Sequence, residues 1–209
     1  METIADKLDL LKADPNYYKA KQTPELRDLD TYYFLTISGK SSPESSTFLH
    51  SIEKLYAVAY AIKFTSKAED NDFVVPKMEG YWWIDGGLDA QHKFAQTPRD
   101  EWNWKIVIRM PDFIEQDHFN RACHKVQLKN PELMIDKVKY ERINEGLAVQ
   151  CLHLGSYEQE EPTISAMLNF INENDLEIDG YHHEIYLSDP RRTPEEKLKT
   201  ILRYGVRKK

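Results

Sequence analysis

Apolar residues recur along this chain with two periods, one of two residues that is typical of strands and one near 3.6 that is typical of helices. Residues 31–37 are dense in aromatic and β-branched side chains, which favours a strand that ends at Gly39. After a capping sequence at 41–44, apolar residues at helical spacing predict a helix that ends near Lys63. The chain is therefore expected to place a strand and a helix after a polar lead-in.

The next segments predict two more strands and a second helix. Residues 78–84 and 104–110 have strand-like composition, and the Gly-Gly pair at 86–87 places a turn between them. A helix is predicted to begin at Pro111, because proline suits the first turn of a helix, and to end before Asn130. These elements complete the first half of the chain and lead into the second.

The second half repeats the order of the first. A strand at 147–154 ends at a glycine, a helix follows, and strand-like residues return at 181–187. Ile52 and Leu168, one in each predicted helix, both lie 13 residues after the glycine that ends the preceding strand. This echo predicts an α+β fold in which two pseudo-symmetric strand–helix–strand–strand repeats form an antiparallel sheet, with helices on one face and a ligand cleft at the seam.

The lead-in is polar and too short to hold a helix-turn-helix head. It is predicted to be irregular and to pack through Tyr17 and Tyr18. One domain of 209 residues is expected. Its parts are the lead-in at 1–23, a first repeat at about 31–110, a linking helix at about 111–129 and a second repeat at about 147–206.

Charge and composition argue against several classes of function. The chain has a formal net charge of −7, and its sequence pI of about 5.5 opposes the positive field that nucleic-acid binding requires. Two cysteines occur, no stretch approaches the roughly 18 consecutive apolar residues of a membrane helix, and the N-terminus has no apolar signal region. A cytoplasmic protein that binds neither nucleic acid nor a membrane is expected.

Short motifs follow one another in the second half in a particular order. A Glu-Gly dipeptide at 145–146 precedes a strand, the pattern His-x-Gly-x-Tyr at 153–157 ends it, and Gly-Tyr-His-His-Glu-Ile-Tyr-Leu-Ser-Asp-Pro stands at 180–190. In this order the motifs resemble those of the GyrI-like family, and the resemblance extends over about residues 15–206. Ser156 departs from the family pattern, in which proline commonly follows the glycine, but serine also suits a turn.

The resemblance implies a function as well as a fold. The family's core is the effector-binding domain of multidrug-responsive transcription activators, which holds bulky aromatic, often cationic, compounds between aromatic side chains over a buried glutamate. Stand-alone members include proteins that hydrolyse cyclopropane-bearing alkylating cytotoxins. The resemblance thus implies an aromatic or cationic small-molecule ligand and a role in protection against toxins or drugs. The alternative is a module that only sequesters its ligand, or that docks a protein partner as a gyrase inhibitor does.

Glu184 is the leading candidate for the carboxylate of such a site. Strand alternation places it with His182 and Tyr186 on one face, opposite Ile185, and that face is expected to be the cleft side, away from the helices. A partly desolvated carboxylate among aromatic rings would attract a cation and act as a general base. Glu79, beside a glycine and several aromatic residues, is the second candidate at the seam. Either glutamate could instead be an ordinary surface residue.

Aromatic and histidine side chains complete the predicted site. A tyrosine, with Tyr157 as the catalytic candidate, or a histidine would hydrogen-bond the oxygen that gains electrons during ring opening. His153 could be that proton donor or a structural histidine with satisfied hydrogen bonds. His182 and His183 are adjacent in a strand and point to opposite faces, so no metal site is expected, and no cofactor motif is present. One of the two adjacent tryptophans, but not both, is expected to touch the ligand. The ligand-binding candidates, which could equally be core residues, are Tyr33, Tyr56, Tyr60, Trp82, Trp83, Trp104, His153 and Tyr186.

Overall fold

The computed structural model describes residues 7–209 as a mixed fold of α-helices and antiparallel strands, which confirms the predicted combination of helices and sheet. The helices are α1 (Leu10–Ala13), α2 (Pro15–Tyr18), α3 (Ser46–Lys67), α4 (Gln116–Lys129) and α5 (Glu161–Glu173). The strands are β1 (Glu25–Lys40), β2 (Met78–Trp83), β3 (Asn103–Met110), β4 (Lys139–Leu154), β5 (Leu176–Ile178), β6 (His182–Tyr186) and β7 (Lys199–Lys208).

Six of these strands close into a barrel-like sheet. Their order is β4-β1-β3-β2-β6-β7, and β4 also pairs with β7, so the last strand returns to the first. The short strand β5 pairs with β7 beside this ring. The antiparallel sheet is as predicted, but its closure was not predicted. Closure means that the two faces of the sheet are an interior and an exterior.

Closure depends on the long strand β4. It pairs with β1 between residues 139 and 150 and with β7 between 148 and 154. Gly146 has a φ of 59°, a left-handed conformation that suits a bend in a strand and favours glycine. Glu145 before the bend and Gln150 after it both contact interior residues, although they lie an odd number of positions apart. The bend therefore shifts the alternation by one position and turns the Glu145 carboxylate inward.

The larger helices cover the exterior in two groups. Helices α3 and α4 pack on β1, β2 and β3 through a core that includes Leu55, Ile106 and Ile108. Helix α5 packs on β4 and β7 through residues such as Met167 and Leu202. Because β2 and β6 are neighbours in the sheet, their outer face is flanked by α3 on one side and by α5 on the other. The seam between β2 and β6 therefore lies between the two groups of helices.

The N-terminal segment fills the barrel interior. Tyr17 and Tyr18 of α2 are almost completely buried and pack in an apolar cluster with Leu10, Phe34 and Ile185. The predicted packing of the lead-in through its two tyrosines is confirmed. The expected irregular structure is wrong for residues 10–18, because an aspartate side chain caps each of two short helices there.

Both halves of the chain contain a strand, a helix and two strands in the same order, with β5 added in the second half. Strands β1 and β4 begin at Glu25 and Lys139, earlier than predicted, because their first parts are polar and half exposed. Helix α3 continues to Lys67, about one turn beyond its predicted end. Superposition of the two halves about a pseudo-twofold axis stays a prediction.

Candidate functional site

A glycine lets two aromatic rings approach each other at the seam between β2 and β6. Gly80 pairs with Glu184 across the seam, and Trp82 pairs with His182. A Cβ atom at position 80 would lie 2.9 Å from both Trp82 Nε1 and the Tyr186 hydroxyl. The absence of a side chain therefore lets these two rings meet over the seam, where the Trp82 indole N–H donates a hydrogen bond of 3.0 Å to the Tyr186 hydroxyl.

Two carboxylates and one imidazole meet beside this pair of rings. His182 Nε2 lies 3.1 Å from Glu184 Oε1 and 3.9 Å from Glu160 Oε2. Glu184 and His182 stand two residues apart on one face of β6, whereas Glu160 is the N-cap residue of α5. The side chains of all three are between 8% and 13% exposed. The cluster is thus a largely desolvated group of titratable side chains at the seam between β2 and β6.

Burial and mutual repulsion shift the protonation of this cluster. Burial, followed by the nearby charge of Glu184, raises the pKa of Glu160 to about 7. Burial disfavours the charged form of His182, but Tyr204 and the two carboxylates outweigh it and raise the pKa of this ring. Glu160 is therefore about half protonated at neutral pH, beside Glu184 and the His182 ring. A positively charged ligand at this place would favour the ionised form of the Glu160 carboxyl group.

Aromatic rings lie beside this cluster. Tyr157 meets Tyr186 edge-on with ring centroids 5.7 Å apart, and it is 39% exposed. Burial, followed by the charge of Glu184, raises the pKa of Tyr157 to about 12, so its hydroxyl remains a donor at neutral pH.

The face assignment of Glu184 differs from the prediction in one respect. Glu184 does share a face with His182 and Tyr186, as alternation predicted. That face is the barrel exterior, which also carries the helices, whereas Ile185 on the opposite face lies in the barrel interior. The predicted orientation of Glu184 away from the helices is therefore wrong, because the opposite face of the closed sheet is packed with interior side chains, including those of the N-terminal segment.

Glu79 lies on the opposite side of the sheet from Glu184. Its carboxylate is completely buried in the barrel, where it accepts hydrogen bonds from the Tyr17 hydroxyl at 2.6 Å and pairs with His183 Nε2 at 3.0 Å. The structure thus does not bring the two predicted carboxylates together. Instead it places Glu160 beside Glu184.

Glu79 belongs to an interior network of four titratable groups. His183 Nδ1 and Arg203 Nη1 each lie 3.5 Å from Glu145 Oε2, and Tyr81 donates a hydrogen bond to the same carboxylate. Burial opposes ionisation of Glu145, but His183 and Arg203 outweigh it and lower its pKa to about 2. Burial also disfavours charge on His183, but the carboxylates raise the pKa of this ring. Acidic and basic side chains thus contact one another inside the barrel.

Several predicted ligand-binding residues lie away from the cluster. Trp104 is 1% exposed and packs against Gly39, where a Cβ atom would lie 2.3 Å from its ring. Tyr33 stacks on Tyr140, with ring centroids 5.2 Å apart. Trp83 stacks on Tyr181, with ring centroids 4.9 Å apart. Of the two adjacent tryptophans, Trp82 is therefore the one beside the cluster.

Of the two remaining candidates, Tyr60 is exposed and His153 is buried. Tyr60 is 48% exposed on α3, with its ring centroid 6.3 Å from that of Tyr56. His153 is buried and has two hydrogen-bond partners, Thr163 Oγ1 and the Ser156 carbonyl oxygen, each at 3.0 Å. This histidine joins β4 to the start of α5, and so supports the position of Glu160.

Sequence reasoning missed Glu160. It stands among the acidic residues Glu158, Glu160 and Glu161 at a helix start, where acidic side chains are expected because they complement the helix dipole. No local signal separates the buried member of this group from its two exposed neighbours. Only the packing of α5 against the barrel brings it to β6.

The structure is a mixed fold of α-helices and β-strands with aromatic rings beside a cluster of titratable side chains. The chain belongs to the GyrI-like family: the sequence profile of the GyrI-like small molecule binding domain matches residues 22–204. The family resemblance of the sequence motifs is thereby confirmed. No curated protein matches the chain significantly. Within residues 7–209, no helix combines the length and the apolar character that crossing a membrane requires.

Solved structures with clear sequence identity cover almost the whole chain. A conserved protein from Listeria innocua, described as uncharacterized, has 35% identity and a TM-score of 0.88, over 96% of this chain and 100% of that one. A protein described as a hydrolase from the same organism has 34% identity and a TM-score of 0.84, over the same shares of the two chains.

A more distant structure shares the fold alone. The C-terminal domain of EcmrR, at 11% identity and a TM-score of 0.59, shares the fold over 90% of this chain and 98% of its own.

Proposed function

We propose that this protein binds a bulky aromatic cation in the cleft between α3 and α5, and that this binding protects against toxic compounds of that kind. The observation that carries the proposal is the pair Glu160 and Glu184, two buried carboxylates with one imidazole between them. Aromatic rings beside the carboxylates supply faces on which a planar cation stacks. Family membership supports the ligand class as a small molecule.

Access to the carboxylates requires movement of a ring at the rim. Two open cavities, of about 520 and 530 Å³, lie on other parts of the described surface, and neither is lined by Glu160 or Glu184. Tyr157 and Tyr186 lie close to Glu184, since burial and the charge of Glu184 raise the pKa of both hydroxyls. Tyr157 is the more exposed of the two, so it is the ring we expect to swing aside when a ligand enters.

Binding is tested with rhodamine 6G, a fluorescent aromatic cation, and with rhodamine 19, its zwitterionic free acid. We expect fluorescence anisotropy to show tighter binding of the cation. Glu184→Gln keeps the shape of the side chain but removes its charge, so it should weaken binding of rhodamine 6G by about 1–3 kcal/mol. Glu158→Gln removes an equal charge from an exposed neighbour and should bind as the wild type does. Equal affinities of all three proteins for rhodamine 6G would refute the proposal.

A hydrolytic activity at the same site is supported by the 34% identity to a protein described as a hydrolase. In this proposal Glu184 removes a proton from water, and the water oxygen attacks a ring carbon of the bound electrophile. In an epoxide the C–O bond breaks and leaves its electron pair on the oxygen. In a cyclopropane conjugated to a carbonyl group the C–C bond breaks, and its electron pair passes through the conjugated system to the carbonyl oxygen. Tyr157 donates a hydrogen bond to that oxygen. General-base assistance is typically worth about 10²–10⁴-fold in rate, which is sufficient for a strained ring.

Turnover separates the two forms of the proposal. The protein is incubated with an excess of styrene oxide or of a cyclopropane-bearing alkylator, and the products are followed by mass spectrometry. An enzyme hydrates many equivalents, and Glu184→Gln reduces the rate at least about 100-fold. A binder protects at most one equivalent of the electrophile per protein. The second result would remove the hydrolytic proposal and leave the binding proposal in place.

A further inference from the structure

The donor atoms of Glu160, His182 and Glu184 lie close enough to meet at one ion. All three lie within 4.8 Å of one another, and His182 Nε2 is 3.1 Å from Glu184 and 3.9 Å from Glu160. In a tetrahedral site with bonds of about 2.0–2.2 Å, two ligand atoms are about 3.3–3.6 Å apart. The two measured separations lie on either side of this range. Small side-chain adjustments would therefore bring the donors to ligand distance.

One of these side chains is also short of partners. The Glu160 side chain is 8% exposed, and within residues 7–209 its Oε1 atom has no hydrogen-bond partner. A buried carboxylate that lacks hydrogen bonds is destabilising, because the protein does not replace the water that the carboxylate lost. The Oε1 atom of Glu160 is therefore a buried oxygen with room for a cation partner.

Rigid elements hold the three donors in place. His182 and Glu184 lie two residues apart on one face of β6, which is paired on both sides, with β2 and with β7. Glu160 begins α5, whose start is tied to β4 by the two hydrogen bonds of His153. Donors that are fixed before binding lose little conformational entropy when an ion arrives.

One imidazole nitrogen and two carboxylate oxygens form a donor set that suits zinc. We propose that Glu160, His182 and Glu184 bind a divalent transition-metal ion of the Zn²⁺ type, with a fourth position open to water or to a ligand oxygen. This site does not depend on the organic ligand proposed above. Since both cations occupy the same carboxylates, Zn²⁺ and rhodamine 6G should compete.

The test uses the full chain after treatment with a chelator, titrated with ZnCl₂. The imidazole nitrogens of His182 are observed in long-range ¹H–¹⁵N spectra and assigned by their absence in His182→Gln. This readout is specific for one ring, so zinc bound by other histidines does not obscure it. We expect Zn²⁺ to shift the His182 signals, and calorimetry to detect a site that Glu160→Gln and Glu184→Gln each weaken more than about 100-fold, since even outer partners of a metal ligand are worth about 10–100-fold.

Glu158→Gln is the matched control, because it removes a carboxylate two residues from Glu160 that is exposed to solvent. It should leave the affinity for Zn²⁺ unchanged. Unmoved His182 signals at saturating Zn²⁺, or Zn²⁺ affinities of both glutamine variants within about twofold of the wild type, would overturn the proposal. Binding of rhodamine 6G to the metal-free proteins is measured separately, so loss of the metal site leaves the proposed organic ligand to be judged on its own.

Discussion

The Tyr17 hydroxyl donates a hydrogen bond of 2.6 Å to Glu79 Oε2 inside the barrel, although 62 positions separate the two residues in the sequence. The bond joins the N-terminal segment to a strand at the centre of the sheet. Because Glu79 is completely buried, it has no water to replace a lost donor. The N-terminal segment is therefore part of the barrel core, and its attachment can be measured.

Tyr17→Phe should reduce the free energy of unfolding by about 1.5–3 kcal/mol, the range for a hydrogen bond to a charged group. The substitution keeps the ring and its packing, so loss of the hydroxyl is the main change. Urea denaturation followed by circular dichroism measures the effect. Tyr18→Phe is the control, since the neighbouring hydroxyl is buried and has no hydrogen-bond partner within residues 7–209. Equal destabilisation by both variants would show that the Tyr17–Glu79 bond contributes nothing.

Glu145 should make the protein sensitive to acid. Its pKa is lowered from 4.5 to about 2 by His183 and Arg203, despite burial. A carboxyl group whose pKa is lowered in the folded protein stabilises the fold at pH values above its ordinary pKa of 4.5. This contribution is lost as the pH falls from about 4.5 towards 2. The contribution amounts to about 3 kcal/mol at most.

Glu145→Gln should therefore be less stable than the wild type at pH 7, and the difference should narrow as the pH falls below 4.5. Urea titrations at pH 7, 4 and 3 give the free energies of unfolding of both proteins, and hence the difference between them at each pH. Glu158→Gln removes an exposed carboxylate, so its free energy of unfolding should change with pH in the same way as that of the wild type. A constant difference between Glu145→Gln and the wild type at all three pH values would contradict the assigned pKa.

Gly146→Ala tests the bend in β4. An added Cβ atom would find no neighbour closer than 3.9 Å, so the cost arises from the backbone at a φ of 59°. We expect a loss of about 1–2 kcal/mol in the free energy of unfolding. Gly146→Asn should cost less, because asparagine adopts this conformation more readily. If the alanine and asparagine variants had equal stability, the left-handed backbone at position 146 would not be the cause of the stability loss.

Gly80→Ala tests the contact between Trp82 and Tyr186. The new methyl group would lie 2.9 Å from both polar atoms of their hydrogen bond. We expect a stability loss of about 1–3 kcal/mol from overpacking and a change in tryptophan fluorescence. Tyr186→Phe removes one of the two clashing atoms, so the double variant should lose less stability than the sum of the single variants. Strict additivity would mean that the methyl group does not meet the Tyr186 hydroxyl.

Much of the local structure follows from the sequence. Strands β2 and β3 lie within one residue of their predicted ends, because dense aromatic and β-branched residues are bounded there by turn residues. The pairing of Glu184 with His182 on one strand face also follows from alternation, and the family motifs identify the second half. In each case the signal lies within a few consecutive residues.

Closure of the sheet and the composition of the site depend on contacts between residues that are far apart in the sequence. The left-handed backbone at Gly146 shifts the alternation of β4, so a strict period of two predicts the wrong face for Glu145. Once the sheet closes, Glu79 points into the barrel and Glu184 points out of it. The sequence determined where β2 and β3 lie and that carboxylates stand among aromatic rings. The tertiary structure alone decided that Glu160 is the partner of Glu184, because docking of α5 on the barrel sets that distance.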